Sequence, residues 1–324
     1  MLSRIADSLY WMSRYLERAE STARLVEINL LYLLEAEDQL TEAAQWRPLL
    51  AICGSEAAYS ETYKGAPVTA NRVIQFLTQQ RNNPNAIRTS LRLARENARV
   101  VRDRISKEMW EAMNEMWLQV DRQLSGPLLP ERAAGFYSEV RSGVARFHGI
   151  TSGSMMRGQP FNFYLLGTFL ERTDMTARIL DVKYHLLLPD ASMVGSPLDF
   201  YQWAALLKSL SGFEAFRRIY QAGLRPIDVA QFIIFESDFP RSLRFSLDRM
   251  KQAIDQLAET APDERTAVCV QGLLARLEHT DAEQAFKLGL HEFLEDFLDG
   301  VRELNDALAA RYFEAYLGDE SCVT

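Results

Sequence analysis

"YLERAESTAR" at residues 15–24 returns as "FLERTDMTAR" at residues 169–178. Setting Tyr10 to Glu27 against Tyr164 to Asp181, an offset of 154, leaves seven of eighteen positions identical. Composition alone would give about one match. Tyr10, Leu16, Glu17, Arg18, Thr22, Ala23 and Arg24 pair with Tyr164, Leu170, Glu171, Arg172, Thr176, Ala177 and Arg178. The exchanges between them keep their chemistry, with Tyr15 against Phe169, Glu20 against Asp174 and Glu27 against Asp181. Farther along, "QWRPLL" at 45–50 parallels "QWAALL" at 202–207, and Pro84, Arg88, Ser90 and Leu91 parallel Pro240, Arg244, Ser246 and Leu247. A repeat on this scale points to one duplicated unit. The expected division is a first helical unit at 1–155 and a second at 156–324, fused into one body, with a linker at the Gly/Ser-rich "HGITSGSMMRGQP", residues 148–160.

Each unit reads as helices. Ile5, Leu9, Met12, Leu16, Ala19, Ala23, Val26, Leu30 and Leu33 step by three or four, the apolar stripe of a long helix. Ile87, Leu91, Ala94, Ala98, Val101 and Ile105 do the same, as do Leu243, Leu247, Met250, Ile254 and Leu257. No hairpin turn stands between alternating runs. The expected fold is all-α: a long antiparallel helical bundle of two duplicated units related by a pseudo-two-fold.

Shifted by one residue from the first stripe is another: Tyr10, Ser13, Glu17, Glu20, Arg24, Glu27, Leu31 and Leu34. Its middle is charged and its ends want burial. The second unit repeats it with Tyr164, Gly167, Glu171, Asp174, Arg178 and Asp181. Glu20 to Arg24 and Asp174 to Arg178 read as i,i+4 ion pairs on a helix surface. Alternatively, the two helices meet near the pseudo-axis and present carboxylates with interleaved arginines to a shared cleft. Arg88, Arg92, Arg95, Arg99 and Arg102 form a third feature, a line of guanidiniums on one helical face. Such a line repels itself unless anions lie opposite. Those anions are either the protein's own carboxylates, the Glu17, Glu20 and Glu27 stripe included, or a phosphate or carboxylate ligand that arginine grips bidentately. The second unit has Arg244, Asp248, Lys251 and Asp255 there, so the line survives in one half.

Several classes of function are excluded or disfavoured. A net charge of −8 argues against non-specific nucleic-acid binding, which needs a basic surface. Cys53, Cys269 and Cys322 are solitary, so neither a disulfide framework nor a zinc knuckle is expected and a reducing cytoplasm suits the chain. No run of apolar residues reaches membrane-span length, and charges at Asp7, Arg14, Glu17 and Glu20 spoil the start as a signal peptide. Di-iron bundles need Glu-x-x-His pairs, and none occurs. The histidines His148, His185, His279 and His291 are scattered, and His185 has Leu31 as its counterpart, so no symmetric metal site is expected. His185 reads as an ion-pair or helix-end residue. No nucleophile elbow or phosphate loop is present, so no cofactor is expected. "GITSGSMMRG" precedes a helix, where backbone amides can hold an anion, but it reads as the inter-repeat linker.

"MLSRIADSLYWMSRYLERAESTARLVE", "LRLARENARVVRDRISKEMWEAMNE" and "GSMMRGQPFNFYLLGTFLERTDMTARILD" together resemble the bacterial alpha-E family, all-helical proteins named for their glutamates. The resemblance runs from residue 1 to the last helices. It implies partnership within an operon with circularly permuted ATP-grasp ligases and transglutaminase-like proteins, in systems that make and break amide bonds of small peptides. The residues it marks are Arg4, Arg14, Glu17, Arg18, Glu20, Arg24, Glu96, Asn97, Arg99, Arg102, Glu108, Trp110, Asn114, Arg157, Glu171, Arg172, Asp174 and Arg178.

The functional expectation is an accessory, non-metal, cytoplasmic component of an ATP-grasp amide-ligase system. Arg14, Glu17, Glu20, Arg24, Glu171, Asp174 and Arg178 would form a polar cleft with Arg95, Glu96, Asn97, Arg99, Arg102 and Arg157. Its occupant would be a peptide, an amino-acid-like molecule or the partner enzyme, with carboxylates holding the amine and arginines the acidic end. The alternatives are an enzyme using Glu17 or Glu171 as general base for amide transfer, and a scaffold whose charges satisfy one another.

Overall fold

A computed structural model of the chain describes residues 2–36, 41–186, 196–221, 223–259 and 263–313. Its described residues form helices and connecting turns, with no strand among them. The first half contains α1 (Ser3–Ala36), α2 (Glu42–Ile52), α3 (Glu56–Tyr63), α4 (Ala70–Thr78), α5 (Ile87–Val100), α6 (Lys107–Gln123) and α7 (Pro130–Ser154). There follow α8 (Gln159–Leu186), α9 (Pro197–Ser209), α10 (Phe213–Ile219), α11 (Pro226–Phe235) and α12 (Leu243–Ala258). The last are α13 (Glu264–Glu278), α14 (Ala282–Leu288) and α15 (Leu290–Tyr312). The fold is all-α.

The two helices carrying the repeated spelling, α1 and α8, lie against each other at the centre. α1 packs on α5, α7 and α9, while α8 packs on α12, α15 and α2. α5 in turn meets α6 and α6 meets α7, as α12 meets α13 and α13 meets α15. Trp46 of α2 and Trp203 of α9, from the two "QW" segments, are both fully buried. One hydrophobic core runs through both halves.

The apolar stripe of α1 is buried from Ile5 to Val26, and so is most of the adjacent stripe: Tyr10, Ser13, Glu17, Glu20 and Glu27. A helix enclosed on two faces belongs to the interior. The far end departs from expectation, because Leu31 is exposed. The side chains of Leu33, Leu34 and His185, together with Cys322, lie outside the described residues.

Contacts advance in the same direction along both central helices. Gly167 sits against Tyr10 and Ser13, Glu171 against Arg14, and Arg172 against Glu17. The pair therefore runs parallel where antiparallel neighbours were expected. A short loop forces its two helices antiparallel, but α1 and α8 are separated by six helices and are free of that constraint.

Two further expectations are corrected. The stretch at 148–160 is no linker through most of its length: α7 continues to Ser154, leaving only residues 155–158 between helices. Its hydroxyls fold back onto the helix, Thr151 donating to the Phe147 carbonyl and Ser154 to that of Ile150, so polarity is satisfied without a break. The stripe from Ile87 to Ile105 leaves the helix after Val100; Val101 and Ile105 remain buried, but in a turn. Ser106 then caps α6 by accepting from the Met109 amide.

Candidate functional site

The repeated Glu-Arg pair acts across the central seam. Arg172 of α8 donates to Glu17 of α1 through two parallel bonds, Nε to Oε1 at 2.8 Å and Nη2 to Oε2 at 2.9 Å. Arg18 of α1 does the same to Glu171 of α8, at 2.5 and 3.0 Å. Glutamate and arginine thus exchange partners between the helices, forming a reciprocal clasp. Each carboxylate has a second cation. Arg14 Nε reaches Glu171 at 2.8 Å, and Arg241, on the loop before α12, bridges Glu17 and Glu20 at 2.9 Å each.

Both glutamates are buried, Glu17 completely. Burial alone would raise a carboxyl pKa, but the Arg172 and Arg241 guanidiniums hold Glu17 well below the usual range. Arg18 and Arg14 likewise overcome burial at Glu171 and bring it down to about 2. A carboxylate so held is a poor proton acceptor at neutral pH, which weighs against Glu17 or Glu171 as general base.

The other charges of the repeated stripes are paired too. Arg178 binds Asp174 through two bonds of 2.8 and 3.1 Å, and Arg24 pairs with Glu20, the expected i,i+4 geometry in both halves. Glu27 meets Arg141 of α7, and Asp181 meets His291 of α15 at 2.6 Å. Hydrogen bonding to Asp181 raises the His291 pKa. The equivalent tyrosines are anchored alike: Tyr10 donates to Asn305 at 2.8 Å, and Tyr164 shares a hydrogen bond with Nδ1 of His148.

Two cavities flank the clasp. The larger, of about 380 Å³, lies beside Glu171 and is lined by Arg14, Arg18, Arg178 and Arg302, with Asp174, Asn85, Asn305 and a wall of Trp11, Leu170 and Met175. Its four arginines face two carboxylates. Arg14 holds Asn305 at 2.7 Å and Arg18 holds Asn85 at 3.1 Å, so the polar rim is fixed before any ligand arrives. The smaller, of about 210 Å³, lies on the Glu20 side and is lined by Arg24, Arg141, Arg241 and His148.

The arginine line stands elsewhere. Arg88 binds Asp121 of α6 at 2.6 Å, Arg95 binds Asn114 of α6 at 2.8 Å and its neighbour Glu96, and Arg99 pairs with Glu96. Arg102 lies over Trp110, Arg92 is exposed, and Asn97 donates to the Leu93 carbonyl. Arg157 rests on the Phe161 ring at the α7–α8 junction and donates to the Ser152 carbonyl. None of these lines either cavity. The expected joining of line and stripes in one cleft does not occur, because the line faces α6 and its partners are Asp121, Asn114 and Glu96 rather than the glutamates of α1. Arg4 and Glu108 are exposed.

Sequence reasoning passed over Arg241, Asn305 and Arg141. Arg241 carried a faint signal, since it follows Pro240, the counterpart of Pro84. The other two lie on helices with no marked spelling. Among the described residues there is no group of three His, Cys, Asp or Glu side chains placed to hold a metal ion. No described helix is long and apolar enough to cross a membrane.

The molecule is therefore an all-α protein whose two central helices are cross-linked by exchanged Glu-Arg pairs beside an arginine-rich cleft. Over residues 1–313 it matches Alpha-E, described as a predicted alpha-helical domain with a conserved ER motif, and it belongs to that family. The clasp gives Glu17-Arg18 and Glu171-Arg172, both spelled ER, a structural meaning. Similar chains include an uncharacterized protein of Mycobacterium bovis, 24% identical over 333 residues, and one of Mycobacterium tuberculosis strain H37Rv at 23%. Each match covers 95% of this chain but 36% of the relative, so the chain spans just over a third of their length. No solved structure matches.

Proposed function

We propose that this protein is a cytoplasmic binding component of an ATP-grasp amide-ligase system, and that the larger cavity receives a small peptide or amino-acid-like substrate. The observation that carries this is the cavity itself: about 380 Å³ of preformed space with four arginines, two carboxylates and an apolar wall. That size lies within the ~300–1,000 Å³ typical of small-molecule sites. Arg14, Arg18 and Arg178 suit a carboxylate or acyl-phosphate end, since guanidinium forks match planar and phosphoryl oxyanions. Asp174 suits the amine. Trp11 and Met175 offer apolar surface to the side chain between them.

The partnership has its own support. In the mycobacterial relatives the matched region is the smaller part of a longer chain, which fits a module that works beside another activity. The circularly permuted ATP-grasp ligase and transglutaminase-like protein implied by the family resemblance are the partners to test. The depressed pKa of both clasp glutamates favours binding over independent amide chemistry.

The test is to denature freshly purified protein, identify released small molecules by mass spectrometry, and titrate the chain with amino acids and dipeptides by calorimetry. Asp174→Asn and Arg178→Gln should each weaken the best ligand at least tenfold. Co-purification with the neighbouring ligase tests the partner. Loss of neither affinity nor co-purification in these variants overturns the assignment of the cleft.

A further inference from the structure

The smaller cavity, on the opposite side of the clasp, differs in its unmet chemistry. The donors Nε of Arg24 and Nε of Arg141 are buried without a hydrogen-bond acceptor among the described residues, and the buried Nε2 of His148, whose role depends on the ring tautomer, has no hydrogen-bond partner there either. All three residues line the same cavity of about 210 Å³. Buried polar nitrogens normally have partners, and a group of three without them is uncommon. His148 Nε2 comes only to 3.7 Å of Glu17, beyond hydrogen-bonding range. Its other nitrogen is held by Tyr164, which fixes the ring.

Arg24, Arg141 and Arg241 line the space with one carboxylate, Glu20, while Glu27 and Glu17, which pair with Arg141 and Arg241, lie outside the lining. Glu20 already receives both Arg24 and Arg241. Desolvation lowers the Arg24 pKa, with Arg241 and Arg141 adding repulsion that Glu20 does not offset. A charged group in that position gains from an anion. The donors also converge from three elements: α1, α7 and the loop before α12. On α7, Ser138, Arg141, Ala145 and His148 step by three, four and three along one face, and the exposed Ser138 and Ser142 stand at the mouth.

We infer that this second cavity is a binding site for a tetrahedral oxyanion, either phosphate or the phosphoryl group of a small molecule. Donors arriving from three directions fit an anion with acceptors on every side; a planar carboxylate is better met by one guanidinium fork. The site would be separate from the peptide cleft and does not rest on what that cleft binds.

The experiment is calorimetric titration of the full chain with inorganic phosphate at fixed ionic strength, with acetate and chloride as controls and acetyl phosphate and phosphoserine as further arms. Saturable phosphate binding is expected, at least tenfold tighter than acetate. Tighter binding of a phosphorylated molecule than of phosphate would identify the source as an organic phosphoryl group; the reverse order would identify the free anion. Arg141→Gln and His148→Gln should weaken phosphate at least tenfold, whereas Arg178→Gln in the other cavity should leave it unchanged. Ser142→Asp places a carboxylate at the exposed mouth without disturbing the core and should abolish binding. The inference is overturned if phosphate binds no better than chloride or acetate, or if Ser142→Asp binds it like the parent chain.

Discussion

Glu17 and Glu171 decide how the centre of the molecule responds to acid. Both have folded-state pKa values below those of an unfolded chain, so their contribution is present above about pH 4.5 and disappears as pH falls through the folded value. For Glu171 that window runs from its ordinary 4.5 to about 2, and the shift corresponds to about 3 kcal/mol. Urea unfolding measured from pH 7 to pH 2 should therefore lose stability most steeply below pH 4.5, and Glu171→Gln should flatten that loss. An unchanged slope would mean that Glu171 is not ionised between Arg14 and Arg18. Removing one cation leaves the buried carboxylate under-compensated instead: Arg172→Gln leaves Glu17 with Arg241 alone and should cost about 3 kcal/mol, seen as a fall in denaturation midpoint. Arg24→Gln and Arg178→Gln should lower both stability and ligand binding, less severely because Glu20 keeps Arg241 and the Arg178–Asp174 pair is nearer solvent. Arg99 is largely exposed and pairs with Glu96 at the surface, so Arg99→Gln should leave the melting temperature nearly unchanged. If the ligase proposed as partner docks on the arginine line, that variant will also co-purify less of it.

At the scale of elements, the clasp depends on how closely α1 and α8 approach. Gly167 allows it. A Cβ at this position would overlap the carbonyl oxygen of Tyr10 and the hydroxyl of Ser13, both on the facing helix. Ser13 is the residue that occupies the equivalent place in the first unit, so one partner carries the bulk and the other yields. Relief would require the helices to part, which lengthens every Glu-Arg bond beyond the crossing. Gly167→Ala should accordingly cost about 3 kcal/mol or more despite adding a single methyl, measured by thermal or chemical denaturation. A neutral result would show that the seam can shift without loss. The pairing of α5 with α6 is a contrasting case. Arg88 and Arg95 reach polar groups on a neighbouring helix near the surface, so their removal should cost well under the clasp values.

For the whole molecule, the repeat makes a geometric prediction. Superposing residues 2–120 on 156–275 should bring α1 onto α8, α5 onto α12 and α6 onto α13, and an unrelated path in the two halves would refute duplication. A second prediction follows from the core and the clasp, which both cross between halves. Residues 1–155 expressed alone should fail to fold cooperatively, since Glu17 would lose Arg172 and Arg241 while staying next to apolar surface. Adding the second half should restore a cooperative transition.

Helix periodicity, the repeated ten-residue spelling and the i,i+4 pairs were legible in the chain because they depend on neighbours three or four residues away, a distance that backbone geometry sets. All-α architecture and the burial of Leu9, Met12, Leu16 and Ala19 follow from that local rule. The same rule overreached where sequence was locally ambiguous, extending α5 to Ile105 and breaking α7 at its glycines and serines. Partners across long separations were beyond it. Nothing in "LER" says that Glu17 will choose Arg172 over a nearby arginine, or that Arg241, 224 residues away, will complete its shell. Those choices depend on the crossing of α1 and α8, which Gly167 and the surrounding core impose. Only once the helices are packed do some arginines become spoken for and others turn toward a cavity, because the difference lies in distances of a few ångströms between residues that the chain keeps far apart.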